Sequence, residues 1–429
     1  MNRYRSLKIP RVKEFDVVLL FTAIVISIIG IVTVFSAVYS GLENDDNLWK
    51  SQAIRLFVAL VGMLAALIID YRVWHGFSYI FYGLGFVVLA VVLAIPESGA
   101  RRWFLGGAIQ PSELARIILI IALAKCLSDK KQVVSQFKVF VVALVMVLAY
   151  TFLIFMQPSL GYALTLIPIS LVMFYVGGIS GTYLLLVIIP GAVSAITTML
   201  ILHKNWSLVS STSLAKAMVL TAIYVGCSSL AYYLISKTRV RDGTKWVKLV
   251  SLCAFIGILV ALVGCAVLKD YQKARLIAFL DPDSYPSSSG YHIIQSKIAI
   301  GSGGLIGQGY LHGTQNRLDF LPAQHTDFIF SVAAEEWGFL GAMVILALYF
   351  TLIMNGLKAA ARADDTFGTL LATGIVAMIA TQVFLNIGVT IGLMPVTGIP
   401  LPLMSYGGSS LFTTFISIGL LLNVRLKRV

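Results

Sequence analysis

The chain has 429 residues, of which 59% are hydrophobic and only 12% are charged, and its net charge is +13. A soluble domain carries about 25% charged residues, and no Lys, Arg, Asp or Glu occurs between positions 139 and 202, so a water-soluble globular protein is excluded. The basic residues cluster in short segments between apolar stretches, which is typical of a membrane protein rather than of a nucleic-acid-binding surface.

Twelve apolar stretches have about the length that a bilayer-crossing helix needs, which is about 20 residues. They predict an all-α, polytopic transmembrane helix bundle that forms one integral membrane domain over residues 1–429. The predicted spans cover residues 17–38, 52–70, 76–95, 112–127, 138–156, 161–177, 182–202, 215–235, 247–268, 327–354, 367–389 and 402–424.

Clusters of Lys and Arg predict the orientation of this bundle. They occur in the N-terminal tail, after the fourth and eighth spans, and at the C-terminus. An even number of spans puts all four clusters on one side, which the positive-inside rule assigns to the cytoplasm together with both termini. The extracytoplasmic side then receives a long polar loop over residues 269–326 and two shorter loops, at 101–113 and 395–410.

An acidic residue at the mouth of the tenth span is the first candidate for chemistry. Asp327 lies where the long polar loop meets the bilayer, and an ionisable group there is costly to hold and is typical of functional sites. Partial removal from water would raise the pKa of its carboxyl group, which would suit the carboxylate to act as a general base. The structural alternative is a helix N-cap or a first-turn acid favoured by the helix dipole.

Two further acids, Glu335 and Glu336, lie deeper in the same span. Glu335 is eight residues from Asp327 and therefore lies on roughly the same helical face. At least one of the two must avoid lipid. The alternative interpretation is that they are buried acids, paired with an interior arginine or with backbone donors.

Positive side chains on the predicted outer side form the second group of candidates. Arg101 and Arg102 break the positive-inside trend, and guanidinium groups bind phosphate through two hydrogen bonds at once. Together with other outer cations they are expected to cradle a pyrophosphate; a solvated charge cluster or interfacial snorkelling is the alternative. The other cations of this group are Lys269, Lys273, Arg275, Lys297 and Arg317.

Glu113 and Arg116, three residues apart at the start of the fourth span, predict an ion pair on one helical face, and both are also expected to contact substrate. Six glycines between residues 301 and 313 lack the GxxxxGK[ST] pattern of a nucleotide-binding loop, and they are expected to allow tight, re-entrant backbone near the membrane surface.

The four cysteines lie in or beside apolar spans without a CxxC pattern, so no cysteine-based zinc site is indicated.

Several stretches of the chain resemble the SEDS family, the shape, elongation, division and sporulation proteins. The blocks occur in the family's order, and the similarity covers roughly residues 15–180 and 246–429. The stretches that carry it are Gln110-Pro111-Ser112-Glu113, residues 290–305, residues 311–315, Phe320-Leu321-Pro322, His325-Thr326-Asp327 with residues 328–330, Pro400-Leu401-Pro402, and Ser405-Tyr406-Gly407-Gly408-Ser409.

The resemblance implies a peptidoglycan glycosyltransferase that polymerises lipid II on the outer face of the bacterial cytoplasmic membrane during cell elongation. It implies a class B penicillin-binding protein as partner and no nucleic acid. Asp327 matches the family's essential acid. Asp319 stands where the family usually has Glu or Asp, and His325 and Ser405 lie in matching blocks, so all three are expected to contact substrate. No cofactor is certain, and a divalent cation, Mg²⁺ or Mn²⁺, stays open.

Three departures from the family pattern stand out. Ser159 occupies a position where the family often has an acid, and Arg116 occupies one where lysine is frequent, which keeps the charge. Residues 203–245 are expected to form an extra helical pair beside a ten-helix core.

The predicted reaction is an inverting glycosyl transfer in which Asp327 removes the proton of the acceptor hydroxyl and the outer cations stabilise the leaving pyrophosphate. Two other classes of function stay open. One is a lipid II flippase or another exporter, which a twelve-span bundle with buried Glu335 and Glu336 would suit. The other is a non-enzymatic scaffold, in which Asp327 would be dispensable.

Overall fold

The computed structural model describes residues 15–39, 47–94, 110–129, 136–157, 159–202, 243–282, 289–317 and 324–426, with isolated positions between 224 and 233. No β-strand occurs among these residues, so the predicted all-α class is confirmed. The helices are α1 (Val17–Val38), α2 (Asn47–Ile68), α3 (Tyr71–Ala94), α4 (Pro111–Asp129), α5 (Gln136–Met156), α6 (Leu160–Val176), α7 (Gly181–Leu202), α8 (Gly243–Val267), α9 (Asp270–Leu280), α10 (Ser289–Ser302), α11 (Thr314–Arg317), α12 (Ile329–Ala361), α13 (Thr366–Thr390) and α14 (Gly408–Arg425).

Eight of the described helices are long and apolar enough to cross a membrane: α1, α2, α3, α5, α7, α8, α12 and α13. Helices α4, α6 and α14 coincide with three more of the predicted spans, while the span predicted at 215–235 lies almost wholly outside the described residues. Large apolar side chains such as Phe21, Phe57 and Ile68 are exposed on the helix surfaces, as lipid-facing positions are. The chain is a multi-pass membrane protein.

Two compact units make up the structure, one formed by Met1–Ile179 and His292–Val429 and the other by Ser180–Tyr291. In the second unit α7 packs along α8 and also contacts α9. A Cβ atom at Gly257 of α8 would lie 2.7 Å from the carbonyl oxygen of Pro190 in α7, so the absent side chain lets these two helices approach closely. The single-domain organisation stays a prediction.

The polar segment at 269–326 is largely helical where it is described, because α9, α10 and α11 lie within it. This long polar loop between the ninth and tenth predicted spans therefore has helical local structure where it is described. Polar composition does not prevent helix formation when one face finds apolar neighbours, and the segment buries Ala278, Ile293 and Ala299.

The first and last helices meet at one end of the first unit. Asp16 caps α1 by accepting a hydrogen bond from the amide of Leu19 at 3.1 Å, and it forms an ion pair with Arg425 in the last turn of α14. The start of α1 and the end of α14 therefore lie on the same side, as the predicted even number of spans requires.

Candidate functional site

Asp327 lies at the opposite end of the first unit from the Asp16–Arg425 pair. The side-chain amide of Gln324 donates to the carbonyl of Ala37 near the end of α1 at 2.8 Å, whereas Asp16 caps the start of that helix. Asp327 is half-buried, and α12 begins only after it, with Phe328 as the N-cap residue and no side-chain cap bond. The N-cap alternative for Asp327 is therefore wrong.

The backbone around Asp327 is tied to the irregular segment that precedes α14. The hydroxyl of Ser405 donates to the carbonyl of Thr326 at 2.6 Å, and the amide of Tyr406 donates to the carbonyl of His325 at 2.9 Å. From α13, Nδ2 of Asn386 donates to the carbonyl of Asp327 itself at 2.9 Å. Three successive carbonyl groups are thus held by hydrogen bonds, and the acid lies on a fixed turn.

Ser405 is buried, and its hydroxyl is engaged with main chain on both sides. It donates to Thr326 and accepts from the amide of Leu401 at 2.8 Å. In this structure it orders the turn that carries Asp327, and its contact with substrate stays a prediction.

A cation that the sequence analysis missed lies beside this turn. The guanidinium of Arg55 in α2 is 4.4 Å from the ring centre of Tyr406, and that ring meets the half-buried His325 edge-on at 5.7 Å. An arginine within a predicted span was the available signal, because a charge there needs a polar partner or a function.

Helix α10 brings a second cation to the same end of the bundle. The ring of His292 stacks on Phe328 at 6.0 Å, and the hydroxyl of Ser296 donates to the carbonyl of Thr390 at 2.7 Å. These contacts place α10 from His292 onward beside the start of α12. Lys297 is exposed, and its Cε would be 2.2 Å from a Cβ atom at Gly392.

Glu113 and Arg116 form the predicted ion pair in α4, but both side chains are only 1% exposed. The hydroxyl of Tyr162 donates to Glu113, and its ring centre lies 4.9 Å from the guanidinium. With its amide oxygen turned toward Arg116, Gln382 of α13 accepts at 2.7 and 3.1 Å. The pair is a buried structural cluster here, and its predicted contact with substrate stays a prediction.

Replacing Glu113 by Gln is expected to lower the free energy of unfolding by about 3–5 kcal/mol, because it leaves the buried Arg116 without its counter-charge. Equilibrium unfolding in mixed detergent micelles measures this loss. Arg116→Lys keeps the charge and serves as the matched comparison, for which a smaller loss is expected. Equal stability of Glu113→Gln and the unmodified chain would contradict the prediction.

Glu335 and Glu336 are buried and accept hydrogen bonds from neutral groups. Oε1 of Glu335 accepts from the hydroxyl of Thr314 at 3.1 Å and from the amide of Gln315 at 2.9 Å. Glu336 accepts from the hydroxyl of Ser36 in α1. The structure shows Glu335 and Glu336 as buried acids, which was the alternative interpretation. The donors in these hydrogen bonds are hydroxyl and amide groups rather than an arginine.

Immediately after these acids α12 is broken at Gly338, whose φ is 66° and ψ is −165°. The amides of Phe339 and Leu340 donate to the carbonyls of Gly304 and Leu305, at 2.9 and 3.1 Å. In return, the amides of residues 308 and 309 each donate at 3.0 Å to the carbonyls of residues 335 and 336. The broken helix thus exchanges two pairs of hydrogen bonds with the glycine-rich segment.

Two glycines of that segment are required by this close approach. A Cβ atom at Gly303 would lie 2.1 Å from the carbonyl oxygen of Ala334, and one at Gly307 would lie 2.1 Å from that of Glu336. The expectation of tight backbone packing is confirmed at Gly303 and Gly307, whereas re-entrant backbone near the membrane surface stays a prediction.

The described structure does not test the remaining predicted site residues. Lys269 is exposed and Lys273 half-buried, and both belong to the second unit, so their phosphate role stays a prediction. Arg101, Arg102 and Asp319 lie outside the described residues. The part of the chain that the structure describes contains no group of three or more His, Cys, Asp or Glu side chains placed to hold a metal ion.

Fold and site together define a class of protein: a multi-pass helical membrane protein that holds one acid on a hydrogen-bonded turn at the end of its bundle. Comparison with known proteins identifies the family to which the chain belongs. The chain belongs to the family of FtsW, RodA and SpoVE, described as cell cycle proteins, whose model matches residues 16–217 and 206–428. The SEDS resemblance is thereby confirmed.

Curated relatives match over almost the whole chain. Peptidoglycan glycosyltransferase RodA of Treponema pallidum is 35% identical over 99% of this chain and all of that protein. Peptidoglycan glycosyltransferase MrdB of Escherichia coli K12 is also 35% identical, over 92% of this chain and 90% of that protein. The similarity therefore extends well beyond the motif blocks.

Solved structures agree with the fold. One describes the structural coordination of polymerization and crosslinking by a peptidoglycan synthase complex; it matches 96% of this chain and 97% of its own with a TM-score of 0.67 at 28% identity. Rod shape determining protein RodA of Thermus thermophilus matches 96% of each chain with a TM-score of 0.59 at 26% identity.

Proposed function

We propose that the chain is a peptidoglycan glycosyltransferase that polymerises lipid II at the outer face of the bacterial cytoplasmic membrane, for cell elongation. The observation that carries the proposal is the half-buried Asp327 on a turn held by Asn386 and Ser405. A carboxylate presented at the end of a membrane bundle can meet a sugar from the aqueous side while the lipid tail of the substrate stays among the helices. The relatives RodA and MrdB are named as peptidoglycan glycosyltransferases, which supports the same reaction.

In the proposed reaction, the 4-hydroxyl of the acceptor sugar attacks the anomeric carbon of the donor. A new C–O bond forms as the bond to undecaprenyl pyrophosphate breaks, and the configuration inverts. Asp327 takes the proton of the attacking hydroxyl, a contribution typically of about 10²–10⁴-fold. Arg55 and Lys297, at the same end of the unit, supply positive charge toward the leaving pyrophosphate.

A divalent cation is part of the proposal on chemical grounds. Mg²⁺ is commonly held by one or two carboxylates together with phosphate oxygens of the substrate, and the leaving pyrophosphate offers such oxygens. The metal would supply charge neutralisation for the leaving group. We also propose a class B penicillin-binding protein as partner, because a structural relative is part of a peptidoglycan synthase complex.

The direct test is glycan polymerisation by the purified full-length chain. Protein reconstituted with its penicillin-binding partner and given labelled lipid II is expected to form glycan strands that are resolved on a gel. Inhibition by EDTA with recovery on adding Mg²⁺ is the expected result for the cation. A correctly folded, partner-bound protein that leaves lipid II intact would refute the proposed activity.

One observation favours the alternative function, a lipid II flippase. Helix α12 is broken at Gly338, and broken helices form substrate sites in transporters. Here, however, the main-chain groups at the break form hydrogen bonds with the main chain of residues 304, 305, 308 and 309. These groups are therefore already satisfied and do not form a substrate site. A vesicle assay that follows labelled lipid II between leaflets separates the two functions: flipping without polymerisation would favour transport.

A further inference from the structure

A buried polar stripe follows one face of α13. Gln382, Asn386 and Thr390 are spaced by four residues, so they lie one above the other along the helix, and each is at most 1% exposed. Buried amides and hydroxyls are costly unless they are hydrogen-bonded. The hydroxyl of Thr390 donates within the helix to the carbonyl of Ile387 at 2.8 Å, whereas the amides of Gln382 and Asn386 tie α13 to neighbouring elements.

The two outer levels of the stripe bind neighbouring helices. Gln382 accepts from the guanidinium of Arg116 in α4. Eight residues further along, the main-chain carbonyl of Thr390 accepts from Ser296 in α10. These contacts set the register of α13 against α4 and α10, and they hold the middle level of the stripe at a defined height in the unit.

The middle level reaches the proposed catalytic turn. Nδ2 of Asn386 donates to the carbonyl of Asp327 and to the carbonyl of Ile399, each at 2.9 Å. One amide group therefore joins α13 to the segment before α12 and to the segment before α14. An NH₂ group has two protons, and both are used.

Both peptide groups that flank the Cα atom of Asp327 are hydrogen-bonded. The carbonyl of Thr326 belongs to the peptide group before that Cα and accepts from Ser405, while the carbonyl of Asp327 belongs to the peptide group after it and accepts from Asn386. Since φ and ψ are the soft dihedrals of a residue, holding both groups fixes the direction in which the Cα–Cβ bond projects.

We infer that Asn386 is a positioning residue for glycosyl transfer, acting through the main chain of Asp327; the inference rests on the proposed function. Asn386 is only 1% exposed, so it acts without contacting sugar or pyrophosphate. Misplacing a catalytic group by 1 Å can cost about 10²-fold in rate. Loss of Asn386 therefore lowers kcat and leaves the KM for lipid II nearly unchanged.

The test compares Asn386→Ala and Asn386→Asp with a matched control, Thr373→Val. Thr373 is buried on the same helix, and its hydroxyl donates to Thr369 within that helix at 2.7 Å. Steady-state polymerisation of lipid II by the full chain with its partner is expected to show kcat reduced about 10²-fold in both Asn386 variants, with KM within about twofold and the control like the unmodified chain. An unchanged kcat, or a loss confined to KM, would overturn the inference.

A double-mutant cycle separates positioning from general destabilisation. Combined with Asp327→Asn, Asn386→Ala is expected to cause no further loss of rate, because there is no longer a base to position. Multiplied losses would refute the inference alone, whereas full activity of Asp327→Asn would refute the proposed base and the inference with it. Should Asn386→Ala not fold, Asn386→Asp takes its place in the cycle and is expected to give the same signature.

Discussion

Asp327→Asn is expected to lower the rate of lipid II polymerisation by about 10²–10⁴-fold, because an amide cannot accept the proton of the acceptor hydroxyl. The substitution leaves the main-chain carbonyl that binds Asn386 in place, so the turn and the fold should be kept. The rate is measured with purified protein, its penicillin-binding partner and labelled lipid II, and folding is checked by thermal unfolding of the same sample.

The matched control is Asp364→Asn, the same chemical change at an exposed position in the turn between α12 and α13. It is expected to polymerise lipid II like the unmodified chain. If Asp327→Asn also retained full activity, the general-base assignment would be refuted.

Gly338→Ala is expected to lower the free energy of unfolding by more than about 3 kcal/mol. The backbone conformation at Gly338, with φ 66° and ψ −165°, is essentially restricted to glycine, and such strain costs about 1–3 kcal/mol. The added Cβ would also lie 2.3 Å from the amide nitrogen of Gly307. Disrupting the hydrogen bonds at the break costs about 1–3 kcal/mol for each buried group left unpaired.

Thermal and chemical unfolding in detergent measure this effect, with Gly301→Ala as the control. Gly301 is a helical glycine of α10, and a Cβ there meets nothing within 4 Å, so its replacement should be neutral or slightly stabilising. Comparable unfolding temperatures for Gly338→Ala and Gly301→Ala would show that the break in α12 does not depend on glycine.

Hydropathy located the helices well because each membrane crossing satisfies its own backbone hydrogen bonds and displays its composition locally. Eight predicted spans correspond to described helices that are long and apolar enough to cross a membrane. The same criterion places no span in residues 269–326, and it does not detect α9, α10 and α11, which are too short or too polar to register as spans. It also gave no sign that α12 breaks at Gly338, because the break depends on a segment about thirty residues earlier in the chain.

The site was predictable only in part. Asp327 was identified by its charge at a bilayer boundary and by the family motif, but Asn386, an uncharged residue inside an apolar span, carried no local signal. Arg55 lies within a predicted apolar span, where a charged residue is a signal of function, but it was not included among the candidate site residues. Glu113 and Arg116 were correctly paired by their helical spacing, whereas their complete burial depends on α6 and α13, which no spacing rule brings together.

The amino-acid sequence by itself determined that this is a multi-pass helical membrane protein of the FtsW, RodA and SpoVE family with an acid at a helix mouth, because hydropathy, charge and motif are properties of contiguous residues. Only the tertiary structure decided how that acid is held. The hydrogen bonds from Asn386 and Ser405 join residues 59 and 79 positions apart. Partners so distant are chosen by packing of the whole bundle, which no local pattern encodes.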